Sequence, residues 1–152
     1  GFISKDYVDI SVQLPKAMTM TEVRYGNGVS DVRVDLISYA TQFVGNPYVW
    51  GGTSLTNGVD CSGFTRYVMK YGAGVNIARS SVAQSGEGKE VNADQMRPGD
   101  LVFYSKNGKN INHVAMYIGD GMVVHASTYK TGVKTSPWNY RTPVKIVNVL
   151  GD

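Results

Sequence analysis

The sequence has a single cysteine, Cys61, so no disulfide can form within the chain. It has only two histidines, His113 and His125, and no dense run of Lys or Arg. Scattered basic residues disfavour nucleic acid as a partner. No apolar stretch approaches the ~20 residues of a membrane-spanning helix, so membrane insertion is not expected. No signal peptide, internal repeat or low-complexity tract is visible. The first residue is Gly1 rather than Met, so the chain reads as a processed product or an excised piece, and the missing leader excludes no compartment.

What is present suits a globular domain. The 152 residues are 42% apolar and 18% charged, enough for one full hydrophobic core. The 18 glycines and 10 tyrosines suggest strands, tight turns and an open binding surface. A net charge of +3 reads first as an ordinary basic surface, though an anionic surface such as a bacterial wall would still attract it.

Along the chain, residues 1–10 alternate like a strand. Residues 11–30 hold Pro15, Gly26 and Gly28 with little periodicity and read as a linker. That sets a domain boundary near residue 30, with 1–30 as the end of an upstream domain plus linker and 31–152 as the main domain. Val32, Leu36, Ile37, Ala40, Phe43 and Val44 follow helical spacing, closed by Gly45. A second helix is expected from Asp60 or Cys61, with Phe64, Tyr67, Val68 and Tyr71 on one face and Gly72 ending it. A short helix can follow Ser80. Beyond the turn 97–100 (RPGD), strands are expected at 101–104, 113–118, 122–127 and 144–150. Helices followed by an antiparallel sheet make the class α+β.

A thiol is a weak nucleophile until it loses its proton, and both a helix N-terminus and a nearby imidazole promote that loss. Cys61 opens the second predicted helix, where free N–H groups offer partial positive charge and can bind a developing oxyanion. Asp60 can cap the same helix or touch substrate, and Gly63 keeps the adjacent surface open. His113 and His125 fall on one predicted hairpin. A Cys on a helix facing a His on a sheet is the papain-type arrangement, in which His113 acts as base and His125 orients it. Zinc is the rival for the same three residues, but no close Cys-x-x-Cys or His-x-x-x-His pairing supports a metal.

Cooperation between the histidines sets a condition on strand register, because successive side chains alternate between faces. A two-residue turn of Asp120 and Gly121 would put the two imidazoles on opposite faces. A three-residue turn, or a compensating bulge, puts them on one face. With the thiol above that face, Val114, Met116 and Ile118 are expected to pack beneath it.

Five segments taken in order, PYVWGG (47–52), VDCSGF (59–64), RSSVAQ (79–84), RPGDLVFY (97–104) and HVAMYIGDGMVVHAS (113–127), resemble the signature segments of the NlpC family of bacterial cell-wall peptidases. The resemblance runs from about residue 33 to the C-terminus. It implies a papain-like fold and hydrolysis of the bond between D-glutamate and the following diamino acid in peptidoglycan stem peptides. By position, Cys61 matches the family nucleophile, His113 the base and His125 the third polar residue. Tyr48 matches a tyrosine that helps bind the oxyanion. Asp60, Ser62, Arg79 and Ser81 match positions lining the stem-peptide pocket. Arg79 has a chemical rationale there, since guanidinium grips a free α-carboxylate bidentately. Gln84 matches a recurrent position with no role assigned, and Ala115 stands where the family often has Gly.

The same resemblance implies a secreted or wall-associated monomer that needs no cofactor. Amidase, acyltransferase and esterase chemistry on this fold remain alternatives, as does a wall-binding module without turnover. The segment GFISKDYVDI (1–10) resembles the closing strand of a bacterial Src-homology-three wall-binding barrel.

Overall fold

The computed structural model describes residues 28–54 and 58–152. The strand expected over 1–10, its barrel resemblance and the linker as far as residue 27 lie outside the described residues. The chain divides after Ser30, and the fold described is that of the unit Asp31–Asp152.

Helix α1 spans Asp31–Thr41 and buries Arg33, Leu36, Ile37 and Ala40, the one-face spacing of an amphipathic helix. The expected stripe holds at Leu36, Ile37 and Ala40, but Val32 and Val44 are exposed, and Arg33 takes a core position. Its guanidinium donates to Asp100 at 2.9 Å, to the Pro98 carbonyl at 2.9 Å and to Asn148 at 3.0 Å. The ion pair thus fastens α1 to the turn that precedes the central strand. Arg33 also pairs with Asp152 at 2.6 Å, so removing Asp100 would leave the guanidinium one carboxylate partner, whereas removing Arg33 would leave Asp100 buried without its ion partner, a loss of about 3–5 kcal/mol.

Helix α2 spans Cys61–Ala73, capped by Asp60 at its start and by Gly74 at its end. Gly74 has φ +70°, the left-handed geometry that glycine tolerates. Gly72, expected as the terminator, lies inside the helix where it packs against α1. A Cβ there would come within 2.9 Å of Leu36 and 3.0 Å of Tyr39. Phe64, Val68 and Met69 are buried, whereas Tyr67 and Tyr71 stack on each other beside the core, with Tyr71 exposed. The short helix α3 covers Ser81–Ser85.

Strands β1 (Thr53–Ser54) and β2 (Gly58–Val59) form a small antiparallel pair. The other six are β3 (Lys89–Glu90), β4 (Leu101–Ser105), β5 (Ile111–Gly119), β6 (Met122–Thr128), β7 (Gly132–Pro137) and β8 (Pro143–Asn148). They build one antiparallel sheet in the order β3-β8-β4-β5-β6-β7. Leu101, Phe103, Val114, Met116, Val124 and Ala126 join the main core with residues of α1 and α2. Val102, Tyr104, Ala115 and Val123 form a second cluster on the opposite face. With both faces covered, all five residues of β4 are buried and strand alternation is lost from its sequence. The class is therefore α+β, with helices packed against an antiparallel sheet. Among the described residues no helix is long and apolar enough to cross a membrane.

The β5–β6 hairpin meets the register condition through a bulge. Gly119 pairs with Met122, leaving Asp120 and Gly121 as a two-residue turn with φ of +54° and +75°, the sign that type I′ hairpin turns require. Tyr117 pairs with Val123, so Ile118 is the extra residue. From there the register is the one that puts both histidines on one face. That face carries the second cluster. Val114 and Met116 lie on the helix side with Cys61, not beneath a thiol placed over the imidazoles, because α2 packs against the opposite face from the one expected.

Candidate active site

Cys61 occupies the first position of α2. The Asp60 carboxylate accepts from the Gly63 N–H at 2.7 Å, a cap worth about 1 kcal/mol. Gly63 is required for this approach, because a Cβ would lie 2.6 Å from the Gly52 carbonyl and 2.9 Å from the Asp60 cap. Asp60 also accepts from the Gly51 N–H at 3.0 Å, tying the 47–52 segment to the nucleophile helix. Tyr48 bridges Val59 in parallel fashion, so its ring lies near the thiol.

Gln84, left without a role by the sequence, is fully buried. Its amide donates to the carbonyls of Ser62 at 3.0 Å and Ala78 at 2.8 Å and accepts from the Thr65 hydroxyl at 2.8 Å. It locks the first turn of α2 to α3 and the loop before it.

A cleft of about 360 Å³ is lined by Tyr48, Asp60, Cys61, Ser62, Arg79 and Ser81, with Trp50 on its rim and Asn112 on its wall. Every residue that the resemblance assigns to catalysis or substrate binding, apart from the two histidines, meets here. Trp50 is 86% exposed. Arg79 is more committed than its expected role requires. It grips Asp60 with two parallel bonds of 3.0 Å and also donates to Ser62 at 2.9 Å and the Gly52 carbonyl at 3.3 Å. Four of its five N–H groups are thereby engaged, leaving the Nε–H as the donor without a described partner.

Neither histidine lines the cleft, but Asn112, the neighbour of His113 in sequence, does. His113 follows a second bulge: Tyr104 pairs with His113 and Ser105 with Ile111, so Asn112 is the extra residue. Bulges beside a site re-aim side chains. His113 Nε2 lies 2.7 Å from His125 Nδ1, and His125 Nε2 lies 2.9 Å from Ser136 Oγ. Tyr104 packs beside His113 and Tyr140 beside His125. With Nε2 occupied, Nδ1 is the nitrogen that His113 retains for chemistry.

Burial dominates the electrostatics. It pushes the Cys61 thiol above its ordinary value. The Val114 N–H, one residue after His113, pulls it down, Asp60 pushes it up, and the N–H groups of Ser62 and Cys61 pull it down. The helix N-terminus therefore does not dominate in the resting protein. Both imidazoles are held well below their ordinary range by burial, His113 then by His125 and Arg141, and His125 by Lys134 and Arg141. The resting site is a neutral thiol with neutral imidazoles. Burial also raises the Tyr48 phenol, followed by the fields of Cys61 and Asp60, so it is a hydrogen-bond donor at neutral pH. Among the described residues no group of three His, Cys, Asp or Glu is arranged to hold a metal ion.

The sequence reading missed Ser136, Asn112, Tyr104, Tyr140 and Arg141. Ser136 lies on β7, whose sequence GVKTSP lacks the apolar run that marks the other strands.

Comparison with known proteins places these segments in a family. The NlpC/P60 family model matches residues 45–147. A Bacillus cereus protein named gamma-D-glutamyl-L-lysine dipeptidyl-peptidase is 43% identical over 119 residues, 77% of this chain and 34% of that protein. The crystal structure of an NlpC/P60 family protein from Bacillus cereus superposes with a TM-score of 0.72 at 38% identity, covering 78% of this chain and 40% of that one. The NlpC/p60 domain of the peptidoglycan hydrolase SagA gives 0.69 at 34% identity, covering 76% of this chain and 97% of that one. The chain spans about a third of the Bacillus cereus relative's length. With the family model covering most of the described unit, the papain-like α+β chain belongs to the NlpC/P60 family.

Proposed function

We infer that the chain is the catalytic domain of a peptidoglycan D,L-endopeptidase that hydrolyses the bond between D-glutamate and the following diamino acid of wall stem peptides. The observation that carries this reading is the single thiol at a capped helix start, open to a cleft and backed by a hydrogen-bonded His-His-Ser chain. The relatives add the bond and the polymer: one is named for the γ-D-glutamyl-L-lysine linkage and another as a peptidoglycan hydrolase. The catalytic domain in this reading is 31–152, and its place of work is the wall, as a secreted or wall-associated protein.

The chemistry follows from the neutral resting state. His113 Nδ1 must present a lone pair to act as base, so its Nε2 carries the hydrogen and donates to His125 Nδ1. His125 then carries its hydrogen on Nε2 and donates to Ser136. This direction of donation fixes the reactive tautomer. As Sγ of Cys61 attacks the γ-carbonyl of D-glutamate, its proton passes to His113. The oxyanion is held by the Cys61 N–H and the Tyr48 hydroxyl. The imidazolium then gives its proton to the leaving amine as the C–N bond breaks. Water, deprotonated by His113, attacks the thioester, releasing the γ-carboxyl group and restoring the thiol. Asp60, Ser62, Arg79 and Ser81 bind the glutamyl side.

The test is incubation with defined muropeptides and mass spectrometry of the fragments. The expected products end in D-glutamate on one side and begin with the free amine of the diamino acid on the other. Cys61→Ser should abolish them without unfolding the domain. Cleavage between the sugar and the stem would replace this reading with an amidase.

A further inference from the structure

The histidine side of the cleft carries a second, basic pocket that the mechanism above does not use. It encloses about 440 Å³ between the β4–β5 loop and the segment leading into β8, lined by Ser105, Lys106, Gly108, Arg141, Thr142 and Val144. The loop residues 106–110 read KNGKN, with two lysines and no acid. Arg141 donates to Asn112 Oδ1 at 2.8 Å, and its guanidinium lies over the Tyr104 ring at 5.7 Å. It forms no ion pair with a described carboxylate. Asn112 is therefore shared, standing on the wall of the Cys61 cleft while anchoring the cation of the neighbouring pocket. Tyr104 is shared too, since its ring also lies 5.9 Å from the His113 ring.

Mechanism decides which half of a substrate lies here. The leaving amine receives its proton from His113, so the leaving half must lie on the imidazole side. The glutamyl half is served by Asp60, Ser62, Arg79 and Ser81 on the other side of Cys61. In a stem cut after D-glutamate, the leaving nitrogen is the α-amine of the diamino acid. That residue's α-carboxyl group is two bonds from the nitrogen, and it is a free anion when the stem ends there.

We propose that Arg141, held by Asn112 and Tyr104 and assisted by Lys106, binds a free α-carboxylate on the leaving diamino acid. The proposal rests on the endopeptidase reading and deepens it by naming a feature of the substrate. Guanidinium is suited to a carboxylate because its N–H fork matches the two oxygens. Arg141 also contributes to holding both imidazoles neutral. An anion bound beside it would offset that field and favour the imidazolium that protonates the leaving amine.

The experiment compares three substrates with the wild-type chain: a tripeptide stem ending in the free diamino acid, its C-terminal amide, and a tetrapeptide extended by D-alanine. Wild type should prefer the free tripeptide over the amide in kcat/KM by about tenfold, the scale of one charge-assisted hydrogen bond. The tetrapeptide should rank with the amide. Arg141→Gln should shrink the tripeptide-to-amide ratio to about twofold or less, and Lys106→Gln should shrink it in part. Lys106 is exposed, so that variant decides the matter if Arg141→Gln does not fold. Equal cleavage of acid and amide by wild type would overturn the proposal while leaving the endopeptidase reading intact. A tetrapeptide that ranks with the free tripeptide would overturn the assignment to the α-carboxylate. Cleavage of none of the three would overturn both readings.

Discussion

His113 Nε2 and His125 Nδ1 lie 2.7 Å apart, although the two residues do not pair across their strands. The β5–β6 register would set Ala115 opposite His125, two residues from His113. The imidazoles meet along a diagonal, which long side chains can span. Ser136 joins from β7 at 2.9 Å, so three adjacent strands hold one hydrogen-bonded line. His125→Ala should leave His113 free to rotate and to choose the wrong tautomer, lowering kcat by about a hundredfold or more. His125→Asn should recover much of the loss, because an amide can still accept from Nε2. Ser136→Ala should cost only a few-fold. Steady-state kinetics on a defined muropeptide checks the order, and equal losses in all three variants would remove the orienting role.

The same buried pair makes stability depend on pH. In the unfolded chain each histidine protonates near 6.5, whereas in the folded protein His125 is held down to about 4 and His113 to about 3. Above 6.5 both states leave the imidazoles neutral, and their contribution is fully present. As the pH falls, the unfolded chain takes up protons that the folded chain cannot, so stability drops between 6.5 and the folded values. The slope approaches about 1.4 kcal/mol per pH unit for each histidine. Asp100, pushed up by burial, acts in the opposite sense and offsets part of the histidine effect as the pH falls. The histidine effect is therefore read nearest its unfolded value, from pH 6.5 to 5. Thermal melts there should show Tm falling with pH, and the slope should be shallower in His125→Asn.

Arg79→Ala should act through Asp60 as much as through substrate. The guanidinium holds both oxygens of that carboxylate and the Ser62 hydroxyl, so its loss frees the cap beside Cys61. We expect kcat/KM to fall by roughly tenfold or more, with kcat falling along with any rise in KM. Arg79→Lys should not restore it, since a point charge cannot reproduce the fork. A variant in which KM alone rises would assign Arg79 to the substrate carboxylate only.

What the sequence revealed and what it concealed divide along physical lines. Cys61 and Asp60 were legible from a helix start and its cap, whereas Tyr48 and Arg79 were legible only through the resemblance of their segments to family signatures. Leu36, Ile37 and Ala40 followed helical period. Arg33 was not legible, since no periodicity rule puts a guanidinium in a core stripe. Its partner Asp100 comes from a turn 67 residues away. Ser136 and Arg141 were hidden because their roles depend on strand pairing and on loops meeting across the sheet. The side of the sheet that faces α2 was misjudged because Val114 and Ala115 are both apolar and both buried, and burial on both faces removes the alternation that would have told them apart.

The Ile118 bulge offers a direct test of how register supports the site. A two-residue turn at Asp120 and Gly121 would by itself place His113 and His125 on opposite faces, since side-chain parity follows the count of residues between them. Ile118 adds one residue to β5 and restores the shared face. Deleting Ile118 removes the bulge while keeping the turn, with its positive φ at Asp120 and Gly121. The pairs Gly119–Met122, Tyr117–Val123 and Met116–Val124 then stand in an unbroken ladder, so the β5 residues from Tyr117 back to His113 keep their partners and their faces. His113 and His125 stay on one face, and Val114 and Met116 stay in the main core. What is lost is the partly buried Ile118 side chain, at most roughly 1.5–3 kcal/mol. The variant should fold with a lowered Tm, keep kcat within a few-fold of the wild type and retain the His113–His125 hydrogen bond in the imidazole nitrogen NMR spectrum, with Cys61 still open to alkylation by iodoacetamide. A folded Ile118 deletion that loses this hydrogen bond would show that the bulge itself, and not the pairing register, holds the two rings together.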